Sequence, residues 1–190
     1  MENRIELKPI MISLGIIILA SLTYALGTSM IFVLPFGDMN STYLVSLMTF
    51  MPVGFIVLPF ILSREQLKEA YITFNWKQYI ILAAIIFIIN HFFIRSNEYY
   101  HQMMISMCEE VLFRYIIYGL LRKHYKYGMS ILITSILFGF ILHLDYPLID
   151  NLLIRMPLGI IFSVLATKLG LQYAIAGHWL FNLLASKSLF

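Results

Sequence analysis

The stretch Met107-Cys108-Glu109-Glu110-Val111-Leu112-Phe113-Arg114-Tyr115-Ile116-Ile117-Tyr118-Gly119-Leu120-Leu121 places two adjacent carboxylates and a guanidinium in an otherwise apolar run. Ionisable groups at membrane depth are costly and usually face a bundle interior or a water-filled cavity, which makes them a functional-site hypothesis. Read this way, the stretch predicts an all-α transmembrane bundle with a polar centre.

The composition agrees. Of 190 residues, 61% are hydrophobic and 12% charged, and the mean hydropathy is +0.85, values typical of a polytopic membrane protein. At about 20 residues per crossing the chain accommodates roughly seven spans in one bundle. The net charge of +3 is too small, and its lysines and arginines too dispersed, for a nucleic-acid surface. A single cysteine, Cys108, excludes an internal disulfide and reads as a packing residue.

Outward from the quoted stretch, the apolar segments predict seven helices. The first runs from Pro9 to Phe36; Ala25-Leu26-Gly27 imitates a signal-peptide cleavage site, but the apolar run continues past it, so a retained helix is expected. The second spans Tyr43 to Leu62, with kinks at Pro52 and Pro59. Residues 63–78 form a polar connection that suits either a segment lying at the membrane surface or a solvated loop with interfacial aromatics. The third covers Tyr79 to Phe93, the fourth Met103 to Leu121, and the fifth Met129 to Leu144, before an Asp145-Tyr146-Pro147 turn. The sixth covers Ile154 to Thr167 or starts earlier, and the seventh Gln172 to Ala185. Residues 1–102 then hold helices one to three with a cytoplasmic loop at 63–78, and residues 103–190 hold the core helices, all in one integral domain.

The positive-inside rule orients this bundle. A cytoplasmic N-terminus places Arg4, Lys8, Arg64, Lys68, Lys77, Arg122, Lys123, Lys126 and Lys168 inside, against Arg95, Arg155 and Lys187 outside. The expected location is the cell membrane, multi-pass, with an extracytoplasmic C-terminus.

Glu110 and Arg114 are four apart with the acid first, the favourable order for a helical pair. Glu109 is rotated by about 100° and has no comparable partner on its own helix. Glu110 and Arg114 are therefore assigned to ordering the site, and Glu109 to chemistry as a general base. His178 and Asn182, also four apart, present two donors in one direction and can stabilise an oxyanion. His143, near the end of its span, is placed to share a water with Glu109. His91, His101 and His124 read as interfacial.

In this order, Glu109-Glu110-x-x-x-Arg114, the stretch Phe138-Gly139-Phe140-Ile141-Leu142-His143, and His178-x-x-x-Asn182 resemble the three motifs of the CPBP family. That family comprises the type II CAAX prenyl proteases and bacterial proteins linked to bacteriocin processing and self-immunity. The resemblance covers about Met103 to the C-terminus. It implies an intramembrane endopeptidase in which Glu109 and His143 activate the hydrolytic water, His178 and Asn182 hold the oxyanion, and Glu110 and Arg114 order the site. One departure stands out: the family's second motif places Phe four residues before the His, and here that position is Gly139.

The substrate class expected is a membrane-associated peptide or protein, with the lipid bilayer as the other partner. No cofactor is expected. A zinc variant would take Glu109, His143 and His178 as ligands, since two His and one carboxylate form a legitimate catalytic set. Two other classes fit the same polar cavity: a non-catalytic bacteriocin-immunity or scaffold protein that binds a peptide, and a transporter with a proton relay.

Overall fold

The computed structural model describes residues 6–33, 38–67, 71–144 and 146–188. Among these the chain forms seven continuous helices and no strand: α1 Leu7–Met30, α2 Met39–Ser63, α3 Trp76–Ile94, α4 99–122, α5 Tyr127–Leu142, α6 Leu148–Lys168 and α7 Leu171–Ser188. Each expected span has its helix. The ends differ: α6 starts at Leu148, and α5 stops at Leu142, so that His143 caps the helix from outside it. Arg4, Lys68 and Asp145, used in the charge and turn readings, lie outside the described residues, as does the expected first-helix end from Leu34 to Phe36.

By length and composition four helices, α1, α2, α3 and α6, can cross a membrane, and α5 is a shorter apolar helix. Their outer faces carry exposed Leu22, Phe60, Ile81, Ile88 and Leu153, whereas Ser106, Glu109, Glu110, Arg114, Gln172 and His178 are buried. Apolar groups thus face outward and polar groups inward, as a bundle in lipid requires. Inside the helices, hydroxyls return to the carbonyl four residues back, as Ser13 does to Pro9 and Thr134 to Ser130. That leaves few polar atoms facing hydrocarbon.

Five helices contain a turn closed i→i+5: Val53–Val57, Asn90–Ile94, Val111–Ile117, Leu137–Leu142 and Asn151–Arg155. Such turns insert one residue and shift the helix face. In α2 the wide turn follows Pro52, whose missing N–H interrupts the regular ladder, and helical structure continues through both Pro52 and Pro59.

α7 lies at the centre, packed on α3, α4 and α6, while α1 packs on α2 and α2 on α4. The indole of Trp179 donates to the carbonyl of Tyr99 at 3.1 Å and fastens α7 to the start of α4. The connection at 71–75 is pinned across the end of α7, with the Leu171 amide donating to Thr73 O at 2.9 Å and the Asn75 amide to Gln172 Oε1 at 3.1 Å. Ile72 is buried there, so this part of the polar connection is tied into the bundle. Gly170 makes the tight turn before α7 at φ +117°, a conformation that L side chains rarely adopt.

Contacts place His124, Arg122 and Lys168 at one end. Glu6 meets His124, Arg122 lies over Tyr71, and Lys168 lies over Tyr127. At the other end Lys187 donates to Phe93 O, and Ser96 bonds to Ser186.

α1 and α2 approach through glycine. A Cβ at Gly54 would lie 2.6 Å from Thr23 Cβ, whereas one at Gly15 would meet nothing within 4 Å. We expect Gly54→Leu to destabilise the detergent-solubilised protein by about 1–3 kcal/mol through overpacking. Thermal unfolding should show a lowered midpoint for Gly54→Leu and none for Gly15→Leu.

Candidate active site

α4 supplies Glu109, Glu110 and Arg114, and α7 supplies His178. Glu110 and Arg114 are wholly buried. Arg114 Nε donates to Glu110 Oε2 at 2.9 Å, and the other oxygen of that carboxylate lies 2.9 Å from His178 Nδ1. The second ring nitrogen, Nε2, faces Glu109 Oε2 at 3.8 Å. His178 therefore stands between the two carboxylates, anchored by Glu110 and turned toward Glu109.

Aromatic rings fix this arrangement. Phe162 of α6 stacks on His178 with centroids 5.0 Å apart and planes at 15°. Phe138 of α5 meets His178 edge-on at 5.7 Å and lies 4.8 Å from the Arg114 guanidinium. A cation over a ring face is attracted by the ring quadrupole, which partly replaces hydration lost on burial. Both Nη atoms of Arg114 and Oε2 of Glu109 are buried without a hydrogen-bond partner among the described residues.

His143 enters from the end of α5. Its Nδ1 lies 2.9 Å from Phe138 O, an acceptor, so Nδ1 is the donor, and in the neutral ring Nε2 keeps its lone pair. The ring stands edge-on to Phe138 at 5.0 Å. Phe138 thus links His143 to His178 and Arg114. Among the described residues no hydrogen bond or ion pair joins His143 to Glu109. Asn182 reaches across from α7 to Ser106 Oγ of α4, at 3.4 Å.

Gly139 has a packing reason. A Cβ there would lie 3.0 Å from the backbone nitrogen of Met156, so α6 occupies the space that a side chain would need. The aromatic comes one residue earlier, and the i→i+5 turn at Leu137–Leu142 makes residues five apart, Phe138 and His143, neighbours on one face.

The sequence-selected residues thus fall into three groups. Glu109, Glu110, Arg114 and His178 meet directly, His143 joins through Phe138, and Asn182 bonds to Ser106 of α4, which itself donates to Gln102 O rather than to the other site residues. Ser106 and Phe162 were not singled out in the sequence. Ser106 had a usable signal, lying one turn before Glu109 and Glu110 on the same helix; Phe162 is one of 15 phenylalanines and had none. The zinc set of Glu109, His143 and His178 is not assembled: no three His, Cys, Asp or Glu side chains among the described residues are grouped to hold an ion.

Residues 99–184 match a protein family described as type II CAAX prenyl endopeptidase Rce1-like. No curated protein and no solved structure matches the chain. The matched segment contains all three motifs, and the resemblance read from them holds.

The buried pair gives a stability test. Arg114→Ala leaves the Glu110 carboxylate without its cation and should cost about 3–5 kcal/mol, whereas the neutral pair Glu110→Gln with Arg114→Met should recover most of that loss. Thermal unfolding of both variants in detergent measures the difference.

Proposed function

We propose, from the Rce1-like match of residues 99–184, that the chain is an intramembrane endopeptidase that hydrolyses a peptide bond in a membrane-associated protein or peptide. The observation that carries this reading is the unpartnered Oε2 of Glu109, which faces a histidine whose other nitrogen is held by Glu110. A buried acceptor with no hydrogen-bond partner among the described residues is suited to hold a water. Glu109 takes a proton from that water as it adds to the scissile carbonyl, and the proton passes to the leaving amine. His143, with Nδ1 committed to Phe138 O, offers Nε2 as a second acceptor to orient the water. His178, held at Nδ1, presents Nε2 toward the developing oxyanion, and the Asn182 amide adds a second donor. Glu110 and Arg114 order this set and touch no substrate.

The basic end of the bundle faces the cytoplasm in this reading, which puts the N-terminus inside and the C-terminus outside. A second reading, a non-catalytic immunity or scaffold protein that binds a peptide in the same cavity, is favoured by Gly139 at the position where the resembled motif has Phe.

Comparison of membrane proteins cut in cells carrying the intact chain, Glu109→Ala or His143→Ala separates the two. Each substitution is expected to lower cleavage by about 10²–10⁴-fold with the protein still inserted and folded. Full activity in either variant contradicts the protease assignment. A biological phenotype that survives Glu109→Ala but is lost with the fold supports the non-catalytic reading.

A further inference from the structure

His143 sits where helical structure ends, at φ −112° and ψ 45°, so the α5 ladder does not fix it. Its carbonyl instead accepts the side-chain amide of Asn151 at 2.8 Å. Asn151 lies in the first turns of α6 and is only 3% exposed. Its amide has a defined face: Arg155 Nη1, one turn on, lies 3.5 Å from Oδ1, which turns Nδ2 toward His143. The Arg155 guanidinium in turn lies 3.5 Å over the Tyr146 ring. Tyr146 returns to the start, its amide donating to His143 O at 3.2 Å and its ring lying 5.9 Å from the imidazole. His143, Asn151, Arg155 and Tyr146 thus close a ring of contacts around the connection between α5 and α6.

We infer that Asn151 is a positioning residue for His143, set by Arg155. By fixing the His143 peptide plane off the helix, Asn151 turns the imidazole back so that Nδ1–H reaches Phe138 O and Nε2 stays free. The inference rests on the reading of His143 as part of the site, but its geometry is independent of Glu109. A helix cap alone predicts something different. Asn90 closes the end of α3 through Ser96 O at 3.0 Å and, among the described residues, makes no hydrogen bond to a site residue, so Asn90→Ala reports the loss of a cap without loss of positioning.

The test uses the full chain in detergent, labelled with ¹⁵N-histidine, with long-range proton–nitrogen spectra to read each ring's tautomer. In the intact chain His143 is expected to be protonated at Nδ1. Asn151→Ala should spread His143 over both tautomers and leave the His178 signals in place, while Asn90→Ala changes neither. Cleavage should show kcat lowered by about 10²-fold with KM within about twofold, the signature of a misplaced group. Arg155→Met keeps the Asn151 side chain and should shift the tautomer in the same direction by less, which covers the case in which Asn151→Ala does not fold. An Nδ1-protonated His143 that is unmoved in the folded variants overturns the inference, as does a kcat loss equalled by Asn90→Ala. A tautomer shift with no Glu109-dependent cleavage would refute the protease reading and leave the positioning role standing. Glu109-dependent cleavage with an unmoved tautomer would do the reverse.

Discussion

The bundle depends on one chain of buried polar contacts, Arg114 to Glu110 to His178, with Glu109 facing the far side of the same imidazole. Glu110 and Arg114 are wholly buried and His178 and Glu109 nearly so, and removing a charge from water costs several kcal/mol even after relaxation. The surrounding helices have to supply what hydration would have supplied. α4 provides the guanidinium and both carboxylates, α7 the imidazole, α5 the Phe138 ring against Arg114, and α6 the Phe162 ring against His178. Displacing any one of these helices would leave a charge uncompensated, and this couples the packing of four helices to one site.

Wide turns are the second physical device. α4, α5 and α6 each depart from the regular ladder close to the site, at Val111–Ile117, Leu137–Leu142 and Asn151–Arg155. In α5 the extra residue brings an aromatic five positions before His143 into line with it. Gly139, the position where the resembled motif has Phe, instead admits the backbone of α6. The one-residue change in sequence is matched by a one-residue insertion in the helix, so the ring reaches the imidazole by a different register.

Much of this was legible in the sequence. Apolar segments separated by polar connections marked all seven helices, and the isolated charges of α4 marked the candidate site, because grease makes unpaired charges conspicuous. The i,i+4 spacing located the Glu110–Arg114 pair. What sequence spacing did not contain was the side-chain geometry between helices. His178 read as an oxyanion donor, and its hydrogen bond to Glu110 depends on how α7 docks against α4. Phe162 was hidden among many equivalent apolar residues. The wide turns were hidden too, since no residue pattern distinguishes an i→i+5 turn from a regular one, and so Gly139 looked like a defect before the approach of α6 explained it.

The division of labour between two neighbouring carboxylates is the claim on which the account stands, and neutralising each in turn tests it. Thermal unfolding of purified Glu110→Gln and Glu109→Gln in the same detergent is the direct measurement. Because Glu110 holds both Arg114 and His178 at 2.9 Å whereas Glu109 Oε2 has no hydrogen-bond partner among the described residues and lies 3.8 Å from His178 Nε2, the account predicts a clearly lowered midpoint for Glu110→Gln and an unchanged or raised one for Glu109→Gln. Equal losses from the two substitutions, or the greater loss from Glu109→Gln, would contradict it.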